Sequence, residues 1–566
     1  QILIVFFSFL LAIYLLGFEY INPTNVNWLV NGDLPVFQIG WKFFRFDEWR
    51  FPLLSNPNYG IYLNSNLIFS DSIPLLAIIF KIINFLLPEN FQYFSIWIIL
   101  CIYLQLLFSY LIIFKITNDY RYSLLSSIFF GLATIFIHRV GIHLSLFGQW
   151  IILMYFYTEY ISEKKKKFFK NLTILLSITI HFYFTIMLVV IFFVEKIYDF
   201  ILKKMTSKLF FKEMVTMMLP ALFLMYALGY FSIGFSDGLG WGYGYYNLNL
   251  NSFINPLGRT TQNIDWSNFL PTQNIQNGEI EGFSYLGLSG LIFFILFSRF
   301  FFIKNSIIIY EKKKVLLISV ILIVIAISNN LNFGNTNLVE VELNKYLYAM
   351  SSLVRASGRF VWPVFYLIFI IGIISIFRLF PKKKILIITP LLILQIIDIS
   401  NGLKNYKFGN QYLEDKIYDI EQKKIWDIEL ANFKQIRLLE PKNQSNIFQK
   451  MTSVMLNHNF SKSDIIYLAR VNRELITKEK YKIQGLIYNK NLNLFNETIY
   501  VSDNINLVKF LFFNYENKLN YYKRNDLWLI TSERISEKSI QEYQILEEKI
   551  EIDLNLDSKI YFNKSN

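Results

Sequence analysis

Apolar runs of membrane-crossing length recur through residues 1–398 and then stop. A spanning helix needs roughly 20 apolar residues, and lipid offers no partner to an open backbone, so such runs belong in packed helices. On that rule the sequence predicts helices at 1–17, 91–115, 123–137, 145–161, 170–183 and 184–200. Others follow at 213–232, 284–303, 314–329, 358–380 and 383–398, about eleven in all. The stretch 73–88 is apolar but short and carries Lys81. It is expected to be interfacial or re-entrant, with a twelfth span as the alternative. The expected fold class is an α-helical polytopic membrane protein over 1–399, with a small soluble α/β or α+β domain over 400–566. In that tail "ETIYVSD", "KFLFFNY" and "DLWLITS" read as strands, and 463–478 as helix.

Composition narrows the function classes. Charged residues are 17% against about 25% in an average soluble protein, and the net charge is +13. Much of the lysine excess sits in short clusters between apolar runs, so it reads as a cytoplasmic topology signal and not as a nucleic-acid surface. The single cysteine, Cys101, lies in an apolar run. It excludes an intrachain disulfide and a cysteine metal site. No small-residue cleavage site follows 2–17, so that run is expected to be the first membrane helix, with room for residues before Gln1.

Alternation along the helices puts five basic loops, 115–121, 164–170, 203–212, 304–314 and 378–384, on one side, as the positive-inside rule requires. The opposite side then carries the loops 18–72, 233–283 and 330–357, the turn 138–144, the turn at 181–184 and the tail. Most of the distinctive polar residues of this half fall there.

Among these, Asp33 follows Gly32 and is the first candidate for a general base on an acceptor hydroxyl, an Asx turn being the alternative. Asp47 and Glu48 stand between Arg45 and Arg50, as a second carboxylate pair or a solvated ion-pair network. Asp71, in Ser70-Asp71-Ser72 before Ile73-Pro74, is a substrate-binding candidate or a helix cap. Arg139, in "HRVGIH", either grips a phosphate or reaches to lipid headgroups. Arg355 and Arg359, four apart in "VRASGRFVWP", suit a diphosphate at a helix start. His143, His181, Glu281 and Tyr285 complete the substrate-binding candidates. Glu281 is also a plain favourable charge near a helix start. The Gly, Tyr, Trp and Asn alternation after 233 suits sugar rings or a flexible loop. No zinc spacing is present, and the expected cofactor set is empty.

This layout resembles the GT-C superfamily of membrane glycosyltransferases, with many spans, an acidic first outer loop and a soluble outer tail. The blocks "GDLPVFQIGWKFFR", "NPNYGIYLNSNLIFSDSIPLLA", "EGFSYLGL" and "RASGRFVWP" look like an uncharacterised bacterial family of polytopic membrane proteins near that superfamily. The resemblance implies an inverting glycosyltransferase at the outer face of the bacterial inner membrane. Its partners would be the lipid bilayer, a polyprenyl-phosphate-linked sugar and a cell-envelope glycan or lipid acceptor, with no nucleic acid and no metal. It implies Asp33, then Asp47, as the first-loop acid, although a clean Asp-x-Asp is missing. The rival expectations are a flippase of lipid-linked saccharides and a non-catalytic envelope scaffold.

Overall fold

The computed structural model describes residues 2–30, 32–140, 142–233, 241–259, 264–302, 312–407, 433–515, 518–524 and 526–533. Asn31 of the first-loop turn, Gly141, the 234–240 part of the glycine-rich loop, most of the 304–314 basic loop and the tail beyond 533 lie outside them.

Helix dominates. Among the described residues, three helices are long and apolar enough to cross a membrane: Phe94–Thr117, Ser207–Leu228 and Ser357–Leu379, the last entered through a 3-10 turn. The apolar helices Ile2–Leu16 and Leu288–Phe300 are shorter. The expected helix at 145–161 is only Trp150–Tyr157, continued by a 3-10 turn, and 123–137 is split into Tyr120–Gly131 and Thr134–Ile137. The stretch 73–88 forms the nine-residue helix Pro74–Ile82.

The chain divides into two compact units, and the division differs from the expected break near 400. The first unit is 1–29, 51–53 and 71–413. The second joins Val30–Arg50 and Leu54–Ser70 to the tail. Backbone pairing explains why these loop segments go with the tail. Gly60 N donates to Ser463 O at 2.7 Å, Ser463 N to Asn58 O at 2.8 Å and Ala469 N to Phe69 O at 2.8 Å. Lys42 Nζ donates to the carbonyls of Met455, Leu456 and His458 at 2.8–3.2 Å.

In the first unit, side-chain polar bonds pin helices where water cannot compete. Gln105 Nε2 donates to Tyr366 Oη at 2.8 Å, and that hydroxyl donates to Gln149 Oε1 at 2.5 Å. The 164–170 lysine run is not a loop: helix Glu163–Ile178 starts before it. Its buried end, Lys170, is bridged to Glu159 and Glu195, while Lys166 meets Glu159 at 2.7 Å. Desolvated lysines hold their charge only with such partners, so these do more than mark sidedness.

The second unit contains the helix Leu34–Phe46, within the stretch 18–72 that is expected to be an outer loop. Pro35 fits its first turn, and its apolar residues are almost all buried. A five-stranded sheet is ordered Lys462–Ser463, Gln435–Leu438, Thr498–Ser502, Leu527–Thr531, Asn520–Arg524. The first two of those junctions are parallel and the last two antiparallel. "ETIYVSD" and "DLWLITS" are strands as expected, but "KFLFFNY" ends the helix Ile505–Tyr515. Asn504 Oδ1 accepts from Asn506 N, and Leu507, Leu511 and Tyr515 are buried at helical spacing. The helix expected at 463–478 lies instead at Arg473–Tyr488. Inside the unit, Arg437 joins Asp464 at 2.9 Å and Glu479 at 2.8 Å.

Candidate functional site

The first unit collects three of the predicted polar residues, Arg139, Arg359 and His143, around one carboxylate, Glu281. Glu281 ends a 3-10 turn, Asn277–Gly282. Its Oε2 accepts from Arg139 Nη1 at 2.9 Å and Arg359 Nε at 3.0 Å, and Arg139 Nη2 donates to the Glu281 carbonyl at 3.3 Å. Oε1 faces His143 Nε2 at 3.8 Å. Two guanidiniums on one acid are electrostatically lopsided, and aromatic faces carry part of the excess. Arg139 lies 5.1 Å from the Trp362 ring centroid and Arg359 4.6 Å from that of Tyr183.

Glycines let these segments meet. A Cβ on Gly358 would stand 2.6 Å from Gly282 Cα and 2.8 Å from Asn247 O, both backbone. One on Gly282 would stand 2.6 Å from Asn247 O. Thus "EGFSYLG" and "RASGRFVWP" cross at their glycines, which sets Glu281 against Arg359. Gly358→Ala is therefore expected to lower stability by about 1–3 kcal/mol through overpacking, read by thermal unfolding in detergent. A variant as stable as the parent would show that the crossing is loose.

Beside this crossing lies a second pair. His181 Nδ1 accepts from Tyr183 N at 3.1 Å, so a neutral His181 carries its proton on Nε2, which stands 3.5 Å from Asp71 Oδ1. Asp71 and Ile73 both have positive φ, 52° and 51°. That conformation is uncommon for any side chain and rare for a β-branched one, and strain of this kind gathers at functional sites. The expected cap at Asp71 is absent: helix Pro74–Ile82 has no side-chain cap bond. The carboxylate turns to His181 instead.

Burial opposes ionisation of Glu281, but Arg139, then Arg359 and His143, hold its carboxyl well below the ordinary glutamate range. At Asp71 burial is likewise outweighed, by the His181 contact and by the charges of His181, His143 and Arg359. Both acids are depressed in the folded state. Their contribution is fully present above the ordinary carboxylate values of about 4 and is lost as pH falls through the lower folded values. Stability is expected to decline progressively below about pH 4, and Glu281→Gln should flatten that decline. Unfolding midpoints at a series of pH values check the sign; a parent midpoint that rises on acidification contradicts it.

Donors outnumber acceptors here. Arg139 Nε and Trp362 Nε1 are buried without a hydrogen-bond partner. Arg355 has no carboxylate partner among the described residues, and its charge is felt by Tyr183, whose hydroxyl accepts from Ala356 N at 2.8 Å. Arg139 and Arg359 thus share Glu281, and the charge of Arg359 also acts on Asp71. Buried donors need acceptors, and the oxygens of an anion supply them.

Other predicted residues are placed elsewhere. Asp33, Asp47 and Glu48 belong to the second unit. Asp33 precedes helix Leu34–Phe46 without a side-chain cap bond to it. Asp47 and Glu48 pair with Arg50 at 3.2 and 3.5 Å, while Arg45 stacks on Phe46. Tyr285 is committed to Asp398, its hydroxyl donating to Oδ2 at 2.7 Å. The asparagines after 246 turn inward and are buried, contrary to the sugar-facing expectation. Trp362 and Tyr183, whose rings lie against the two arginines, carry no signal in the sequence, since an aromatic residue beside a helix start has no characteristic spacing. Among the described residues, no group of three or more His, Cys, Asp or Glu is placed to hold a metal ion.

The model of a domain of unknown function, DUF6311, matches residues 5–400. No curated protein matches the chain.

Proposed function

The chain belongs to the DUF6311 family, and from that premise we propose that it is a membrane glycosyltransferase. It would move a sugar from a polyprenyl-phosphate donor to a cell-envelope acceptor at the outer face of a bacterial inner membrane. The observation that carries the reading is the pair of guanidiniums, Arg139 and Arg359, on the single carboxylate of Glu281, beside the strained Asp71–His181 pair. In the reaction the acceptor oxygen bonds to the sugar's anomeric carbon as the bond to the donor phosphate breaks. Asp71 takes the acceptor hydroxyl proton, and the arginines take the charge of the departing phosphate. Asp71 replaces Asp33 as our choice of base because it shares a unit with the arginines and is oriented by His181. The proposed topology keeps about eleven spans, with shorter helices completed by their flanking turns, lysine-rich ends in the cytoplasm and the tail outside.

A second reading, a flippase of lipid-linked saccharides, is favoured by one observation. Lys170, Glu159 and Glu195 are buried at the helices, where ionisable residues mark pathways in transporters. Proteoliposomes with a radiolabelled lipid-linked sugar separate the two. Label moving onto an acceptor supports transfer. Label crossing the bilayer while still on its carrier supports the flippase.

A further inference from the structure

Between the helix Lys312–Ile327 and the candidate span Ser357–Leu379 lies a segment that leaves most of its apolar side chains exposed. It opens with a hairpin, Asn330–Phe333 against Thr336–Glu340. Its base is closed by Val341 N donating to Asn329 O at 2.9 Å and Asn329 Nδ2 donating to Val341 O at 3.1 Å. The inner strand is tied to the protein, with Leu250 N donating to Asn332 O at 3.0 Å and Asn247 Nδ2 to Asn330 O at 2.6 Å. The outer strand is different. All five of its residues are exposed, Leu338 and Val339 included, so the described residues cover neither of its faces. Among the described residues the sheet has these two strands alone, and the outer edge of Thr336–Glu340 keeps unpaired backbone groups.

The helix Lys345–Ser351 follows, capped by Asn344, whose Oδ1 accepts from Leu347 N at 2.9 Å. None of its residues is buried. Tyr346 is 81% exposed and Met350 65%, and Leu347 and Tyr348 are exposed with them. Successive helical residues stand about 100° apart, so 346–348 spread apolar side chains around more than half of the circumference. A helix that is apolar all round belongs in a protein core or in lipid, not in water. A docked protein surface covers one side of such elements, whereas a fluid apolar layer covers every side. The preceding helix shows where that layer lies. On Lys312–Ile327 the exposed Leu316, Val320 and Val324 are four apart, opposite the buried Val315, Ile318 and Leu322. Such a stripe on an apolar helix faces lipid, and it ends at the hairpin. The open strand edge keeps the segment out of the hydrocarbon core, which offers backbone groups no partner. The headgroup layer supplies partners, and tyrosine rings favour that depth.

We propose that residues 333–353 are a membrane-docking surface, seated in the lipid headgroup layer at the bilayer face where the helix Lys312–Ile327 ends. Their apolar side chains reach about 5–10 Å into the boundary between headgroups and acyl chains. Arg355, just beyond the segment, then stands at the depth of lipid phosphates. The proposal rests on the membrane reading of the first unit and not on the transferase reaction.

Depth-dependent fluorescence quenching tests it on the full chain in lipid nanodiscs. A polarity-sensitive dye is attached at Leu338→Cys or Met350→Cys, and at Val320→Cys as a control, each in a Cys101→Ala background. All three dye positions are exposed, so the substitutions leave the packing intact. The quenchers are lipids with a nitroxide just below the headgroup, lipids with one near the end of the acyl chain, and aqueous iodide. Expected at 338 and 350 is quenching at least about twofold stronger by the shallow nitroxide than by the deep one, with little by iodide. The control at 320 should favour the deep nitroxide. If it does while the dyes at 338 and 350 answer to iodide alone, the segment stands in water and the proposal fails. If no quencher reaches those two dyes, a protein surface covers them and the proposal fails equally. A control dye open to iodide would overturn the membrane reading beneath it.

Discussion

Replacing Glu281 with glutamine is expected to lower stability by about 3–5 kcal/mol, the usual effect of removing one partner from a buried ion pair. The carboxylate is the shared acceptor of Arg139, whose side chain is 2% exposed, and Arg359, which is 9% exposed. Glutamine keeps the shape and one acceptor oxygen but no charge. Two buried guanidiniums would then be left with the Trp362 and Tyr183 rings and the charge of Asp71 to offset them. A denaturant titration in detergent measures the change. A loss under about 1 kcal/mol would place the cluster in effectively aqueous surroundings, where ion pairs are worth that little. In the proposed reaction the donor phosphate offers the same arginines a second anion, so a bound phosphate-bearing donor should stabilise the variant more than the parent.

Asp71→Asn has the larger expected effect on activity. A positioned general base contributes typically 10²–10⁴-fold, and asparagine has no basic oxygen to receive the proton. Folding should survive, because Asp71 is 31% exposed and an amide oxygen can still accept from His181 Nε2. The account therefore predicts a fall of about 10²–10⁴ in kcat with little change in KM for the donor, which the arginines hold. His181→Ala should give a smaller loss of the same kind by freeing the carboxylate to turn. A variant with raised KM and unchanged kcat would assign Asp71 to binding.

Much of this architecture is legible in the residues. Apolar length gives the helical body with its candidate membrane spans, and "VRASGRFVWP" marks the segment whose Arg359 meets a buried carboxylate. Which acid they meet is not legible, because Glu281 reaches them through glycines whose role appears only when two distant backbones touch. Asp71 reads as a helix cap by local pattern, yet His181, more than a hundred positions away, takes its carboxylate. In "KFLFFNY" an apolar run too short to show its period fits strand and helix alike, and burial on one helical face decides it. The grouping of the first-loop segments with the tail depends on strand and carbonyl pairing across some 400 residues, which no local signal contains.

The most direct measurement of the central claim is transfer of a radiolabelled sugar from a polyprenyl-phosphate carrier to a lipid or glycan acceptor in proteoliposomes. Parent, Asp71→Asn and Asp33→Asn proteins would be compared at equal amounts of folded protein. The account predicts transfer by the parent, near-parental transfer by Asp33→Asn and a loss of about 10²–10⁴ in Asp71→Asn. No transfer by the folded parent, or full transfer by Asp71→Asn, would contradict it.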